Sequence, residues 1–415
     1  MVKRFFIVFL LGFSSGLPLA LVSSTLQAWF SEAGMSVLAT GMLSLLGLPY
    51  VYRFMWAPIL DRYSLLPGLG KRRSWIFVMQ VLLCVGFNAM AWLSPRTSPM
   101  LMVALGFVLA SFSATQDATI DAHRTEYLPA GEYGLGASLA IVGYRLALLA
   151  AGGLALIIAQ YAGWVIAYRS MGCLMFLGMI AILWSPEPSS PLPNYPSFAS
   201  SCVAPVQNLF SQPEIIPFCF FILFYKLGEA FTTSTSGVVM PFLIQGIGFS
   251  LETIAYVNKI LGVFAVISGG LIAGLVLLRC SLYRALLVFG LIQALTNALF
   301  VLLATVGKDV VIFSCAVVSD NFAAGMGSTA LVALFMRFVD RRYTATQFSM
   351  LVALATLPRI FSGPIGALIQ SWVGWVGLYQ ISFLLALGFI PFLLMLRQQP
   401  YISDPFLSMK KHAHN

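Results

Sequence analysis

Apolar stretches of about 20 residues or more, the length that crosses a hydrocarbon core, recur twelve times along this chain. They fall at 5–30, 38–60, 74–94, 98–121, 135–160 and 164–184, then at 214–245, 251–277, 282–305, 309–337, 344–370 and 375–397. The apolar residues come in long blocks rather than alternating with polar ones, so the expected fold class is an all-α integral membrane protein with twelve transmembrane helices. Composition agrees. The chain is 60% hydrophobic and 9% charged, whereas about 25% charged is usual for a soluble domain.

The net charge of +9 is therefore no nucleic-acid footprint, because basic residues of membrane proteins gather in cytoplasmic loops. With the N-terminus placed inside, one face carries fifteen cations, among them Lys3, Arg4, Arg62, Lys71, Arg72, Arg73, Arg124, Arg341, Arg342, Lys410 and Lys411. The other face carries only Arg96 and Lys308. Both termini are expected in the cytoplasm. The opening "MVKRFFIVFLLGF" runs on apolar to Phe30 without a small-residue cleavage site and reads as the first span. The six cysteines are scattered with no CxxC pair, which argues for buried apolar roles over disulfides or a metal site.

Residues 185–213 are rich in Pro and Ser and read as a cytoplasmic linker. They separate two six-helix bundles, 1–184 and 214–397, with a cytoplasmic tail at 398–415. The halves are related: Gly34 and Ser36 align with Gly248 and Ser250, and Tyr133 and Gly153 with Tyr343 and Gly363. Six plus six spans around a cytoplasmic linker resembles the plan of the major facilitator superfamily, whose substrate site lies between the halves near the midplane. "APILDRYSLLPGLGKRRSW" (57–75) resembles that superfamily's loop motif between spans two and three through Asp61, Arg62, Gly70 and Lys71–Arg73. Ala stands at the expected first Gly and the spacing is stretched. The resemblance implies a cytoplasmic gate that includes Asp61 and Arg62. Positive-inside topology alone is the other reading.

Charges inside the membrane cost several kcal/mol unless paired or wetted, so they mark cavities or partner helices. Of fourteen acids, Asp117, Asp121, Glu229 and Asp320 lie within or nearly within spans; Glu126 reads as a loop residue and Asp61 as a span edge. All three histidines read as cytoplasmic-face or tail residues. A proton carrier in the spans is therefore a carboxylate. Asp117 lies deeper than Asp121 on one face of a helix; Asp121 has Arg124 close by and belongs with the gate. Either acid could instead be a static partner of an arginine. Lys226 and Glu229, three apart, can pair on one helix face. Arg145 and Lys259 have no local partner and can meet an acid elsewhere or bind an anion. Gln27, Gln116, Thr232–Ser236, Asn258 and Asn321 extend a polar path, or bond helix to helix.

"SATQDATIDAHRTEYLPAGEYGLGASLAIVGYRLALLAAGG" resembles the fourth-to-fifth-span signature of the AmpG muropeptide permeases and the related acetyl-coenzyme A transporters. Gln116, Asp117, Asp121, Gly143, Tyr144, Arg145, Gly152 and Gly153 carry the match. "GLPYVYRFMWAPILDRY", "FYKLGEAF" and "DNFAAGMGSTALVALFMRFVDRRYTATQFSMLVAL" agree, so the resemblance reaches to about residue 380. It implies a monomeric bacterial inner-membrane proton symporter. Such a protein imports GlcNAc-1,6-anhydroMurNAc peptides for wall recycling and feeds β-lactamase induction in some species. It uses the proton gradient and no cofactor. Arg145, Tyr144, Lys226, Lys259, Gln116, Asn321 and Gln27 are then the candidate substrate contacts. Asp117 leads for proton coupling, with Asp121, Glu229 and Asp320 behind it. An acetyl-coenzyme A carrier would want more basic residues, and other hydrophilic solutes, such as sugars or siderophores, stay open as lesser alternatives. A membrane-embedded transferase lacks an acid/base constellation; a scaffold leaves paired halves unexplained.

Overall fold

The computed structural model describes residues 2–35, 43–188, 198–232, 238–250, 253–254 and 256–402. The long helices are α1 Val2–Val22, α2 Lys71–Met90, α3 Pro99–Tyr127, α4 Tyr133–Leu149, α5 Trp164–Trp184, α6 Ile215–Ala230, α7 Gly262–Val276, α8 Leu282–Val306, α9 Val310–Phe338 and α10 Thr344–Leu387. Among the described residues nine helices are long and apolar enough to span, or ten if the bent pair Cys202–Phe210 and Ile215–Ala230 counts as one. The shortfall from twelve has local causes. The second apolar stretch is cut into short pieces, Leu48–Tyr52 and Ala57–Arg62, each opening on an early proline, Pro49 and Pro58. Proline suits a first helical turn and breaks an interior. The last two stretches run together as α10 and its continuation, with non-helical backbone at Gly374 marking the join.

The chain folds as two compact units. The first holds residues to Pro129, Leu139–Asn208 and Val339–Met350; the second holds Ala130–Ser138, Leu209–Phe338 and Leu351 onward. The helix α10 is thus shared, its first turns clustering with the first unit. The first core is built on Leu17, Leu21, Phe87, Met90, Leu109 and Tyr168. The second is built on Phe242, Phe300, Phe313 and Tyr379. Where α1 crosses α4 the backbones touch: a Cβ at Gly12 would strike Ala140, and one at Gly143 would strike the Phe9 carbonyl. Small residues permit this approach, and it brings the Tyr144–Arg145 end of α4 against α1.

The aligned Gly34 and Gly248 share φ +84° at two helix ends. The linker is less bare than its composition suggests, since it contains a helix, Phe198–Phe210. Gln347 donates to the Pro205 carbonyl at 3.2 Å and to Asn208 at 2.8 Å, which ties that helix to the start of α10.

Candidate functional site

In the first unit, the broken second span lays Arg53 and Trp56 against α3. The Trp56 indole donates to Thr115 at 3.0 Å, and Arg53 Nη2 donates to Asp121 at 2.9 Å. Arg124, one turn further along α3, gives Asp121 a second ion pair at 2.8 Å. Asp117 sits one turn before this cluster and is 8% exposed; it accepts a single 2.6 Å bond from the Ser15 hydroxyl of α1. Gln116 is fully buried and donates one amide N–H to the Ser14 carbonyl at 2.9 Å, while its Oε1 has no partner among the described residues. Tyr144, Arg145 and Gln27 are half-buried. Arg145 makes no ion pair or hydrogen bond among the described residues.

A second acid centre lies where α2, α3 and the start of α10 meet, and sequence reasoning saw only part of it. Asp61 and Arg72 are both 0% exposed and joined at 2.7 Å, and Arg72 also bonds Glu126 at 2.5 Å and the Leu60 carbonyl at 3.0 Å. The other side of Asp61 caps α10. It accepts from the Ala345 and Thr346 amides at 3.1 and 2.9 Å and from the Thr346 hydroxyl at 2.6 Å. A carboxylate at a helix N-terminus meets unsatisfied amides and the positive end of the dipole. Glu187 does the same for α2 through the Arg72 and Arg73 amides at 2.7 and 3.0 Å.

Glu126 is therefore a buried helix residue, not a loop residue. The helix α3 runs six residues past the expected end at 121 because its polar side chains are paired inside the fold. His123 is likewise 0% exposed and bonded to Ser185 at 2.9 Å, where the cytoplasmic surface was expected. Arg62 is half-buried and stacks on Tyr63 at 5.2 Å, while Arg124 serves Asp121 and not Asp61. The separations Asp61–Arg72 and Arg72–Glu126 follow no helical spacing, so only the loop motif's basic cluster hinted at them.

In the second unit, Lys226 and Glu229 form the ion pair that their spacing allows, and Lys226 also donates to Ser328 at 3.2 Å. They line a cavity of about 200 Å³ together with Leu331, Phe335, Thr356 and Arg359. Asp320 lies apart from this pair, 2% exposed and ringed by neutral donors: Thr232 at 2.8 Å, Gln293 at 2.9 Å and Thr296 at 3.2 Å. The Asn321 amide is turned back onto the Val317 carbonyl of its own helix at 2.9 Å. The side chain of Lys259 and residues 233–237 lie outside the described residues.

Two charge clusters and a lined cavity, on helices long and apolar enough to cross a membrane, make up the candidate site. The family model that matches residues 5–363 is described as Major Facilitator Superfamily. The chain belongs to that superfamily. It is 40% identical over 97% of its length to the anhydromuropeptide permease of Escherichia coli (strain K12), covering 82% of that protein. It is 27% identical to the putative transporter AmpG 4 of Rickettsia conorii, over 92% of this chain and 94% of the relative. The level of identity to the Escherichia coli protein places it within the AmpG permease family and makes it a multi-pass transporter, not an enzyme. The fold matches the Escherichia coli fucose:proton symporter FucP (TM-score 0.72, 15% identity, 96% of this chain and 98% of that one). It also matches the human organic anion transporter MFSD10 (TM-score 0.66, 14% identity, 94% and 97%).

Proposed function

We propose that this transporter imports anhydromuropeptides across the inner membrane by proton symport, as a monomer with both termini cytoplasmic. Asp117 carries the coupled proton. Forty per cent identity to an anhydromuropeptide permease supports the substrate class. The observation that carries the mechanism is the charge count around α3. Arg53 and Arg124 share the single partner Asp121, with Asp117 one turn away.

With Asp117 ionised, two cations face two anions and the cluster is neutral. With Asp117 protonated, the cluster holds one surplus positive charge. An anionic ligand is then favoured where it was not before, so proton and ligand are taken up together. Arg145, with no partner among the described residues, adds a contact for the same ligand charge. Release of the proton on the cytoplasmic side restores neutrality and expels the anion. A proton that accompanies one ligand charge moves no net charge, so the proton concentration gradient drives this step. The membrane potential, about 2.3 kcal/mol per net charge per 100 mV, adds only for protons beyond that one. Asp61, Arg62, Arg72 and Glu126 form the cytoplasmic gate in this reading, while Arg124, expected at the gate from the sequence, belongs to the Asp121 cluster.

The test is uptake of labelled anhydromuropeptide into proteoliposomes holding the purified protein. Accumulation is expected to need an inward proton gradient and to collapse with a protonophore. Gradient-independent accumulation overturns the symport reading. Uptake of acetyl-coenzyme A in place of the muropeptide overturns the substrate.

A further inference from the structure

We infer that Arg359 is an anion-binding residue that receives a carboxylate from the peptide portion of the ligand. The inference rests on the permease reading above and adds to it a subsite in the second unit. Arg359 lies fifteen residues into α10, in the apolar stretch 344–370, yet its side chain is exposed and lines the cavity shared with Lys226, Glu229 and Ser328. A guanidinium in such a place requires an anion or water. Among the described residues it has neither an ion pair nor a side-chain hydrogen bond; only its backbone carbonyl is engaged, by the Ser362 hydroxyl at 2.8 Å.

The cavity's other charges are already committed. Glu229 pairs with Lys226, and the spare Lys226 donor goes to Ser328. Leu331, Val332 and Phe335 close the wall with apolar surface and offer no acceptor. Lys226 and Arg359 against Glu229 leave one positive charge unanswered, and that charge sits on Arg359.

The chemistry of the ligand group follows from the fork of five donors, which takes a planar carboxylate through two parallel bonds. The size points the same way. About 200 Å³ is below the roughly 300–1,000 Å³ of a pocket for a whole small ligand. The cavity therefore takes one end of the substrate, and the peptide's carboxylates are the ends that carry the matching charge.

The experiment compares binding of two ligands to the purified full-length protein. One is an anhydromuropeptide with free peptide carboxylates; the other is the same molecule with those carboxylates converted to amides. Wild-type protein is expected to favour the acid by about 10- to 100-fold, the value of a charge-assisted bidentate contact. Arg359→Gln is expected to cut that preference by at least about 10-fold, weakening the acid while holding the amide within about 2-fold. Arg359→Lys, which keeps charge without the fork, is expected to fall between them. A preference of undiminished size in Arg359→Gln overturns the inference, as does equal weakening of both ligands. Wild-type protein that binds both forms equally overturns it too and leaves the permease reading standing. Wild-type protein that binds neither form overturns the permease reading and this inference with it.

Discussion

Three of the four buried acids among the described residues, Asp61, Asp320 and Asp117, are each held differently. Asp61 has a full set of partners: a buried arginine on one side and the first amides of α10 on the other. Asp320 has three neutral donors on one oxygen and no cation. Asp117 has one hydroxyl, with a shared ion cluster one turn along. The comparison teaches that burial alone does not assign a role. Asp61 is a fastening, since its charge is answered and its geometry fixed. Asp320 is a hydrogen-bond hub that joins α8, α9 and the end of α6, and an amide oxygen can fill that place. Asp117 alone sits where gaining or losing a proton changes the charge balance of its surroundings without dismantling them.

The largest expected effect lies at the fastening. Arg72→Ala leaves Asp61 and Glu126 buried without their cation, and breaking such a network costs about 3–5 kcal/mol. Unfolding of the detergent-solubilised protein measures this, and a loss under about 1 kcal/mol would place the cluster in water after all. Next is the hub. Asp320→Leu strands the buried Gln293 amide, at about 1–3 kcal/mol, and leaves the Thr232 and Thr296 hydroxyls only the Glu229 and Gln293 carbonyls, so the yield of folded protein is expected to fall. Asp320→Asn keeps an acceptor and is expected to express and transport near the wild-type level. A smaller effect is expected from Ser15→Ala, which removes the one bond on Asp117 at a cost of about 1 kcal/mol. It should alter the pH profile of uptake more than the melting temperature. If only the melting temperature moved, Asp117 would be a structural acid like Asp320.

The smallest effect is outside the membrane. Burial pushes the Asp340 carboxyl up, but bonds from the Arg342 guanidinium and amide outweigh it and hold the carboxyl below its ordinary value. The folded state therefore gains stability above the ordinary carboxylate range of about 3.9, and that gain is lost as pH falls through the lowered value. Because Arg342 is about half exposed, solvent screening limits the gain to well under about 1 kcal/mol. Arg342→Ala should flatten this small acid limb by lowering stability at neutral pH by that same small amount, with stability below the lowered value unchanged.

The sequence disclosed what depends on local repetition. Apolar run length gave the membrane class, the cation count gave the topology expectation, and spacing of three gave the Lys226–Glu229 and Asp121–Arg124 pairs. What it concealed depends on contacts between distant segments. "DAHRTEY" looks like the frayed end of a span, because its charges appear only as polarity until Arg72 and Ser185 arrive to pair with Glu126 and His123. Gln116 reads as a polar path residue until one amide N–H is seen bonded to the Ser14 carbonyl. The breaks at Pro49 and Pro58 were visible as prolines, but a hydropathy average runs straight across them. Arg359 is one of several cations within the apolar stretches, and only the cavity gives it a setting.

The central claim is that Asp117, and not Asp320, couples the proton to transport. The direct measurement is uptake of labelled anhydromuropeptide by proteoliposomes under an imposed proton gradient, with Asp117→Asn and Asp320→Asn beside the wild type. The account expects Asp117→Asn to lose gradient-driven accumulation while still exchanging internal for external ligand, and Asp320→Asn to keep both. Full gradient-driven accumulation by Asp117→Asn, or its loss in Asp320→Asn with exchange intact, would contradict it.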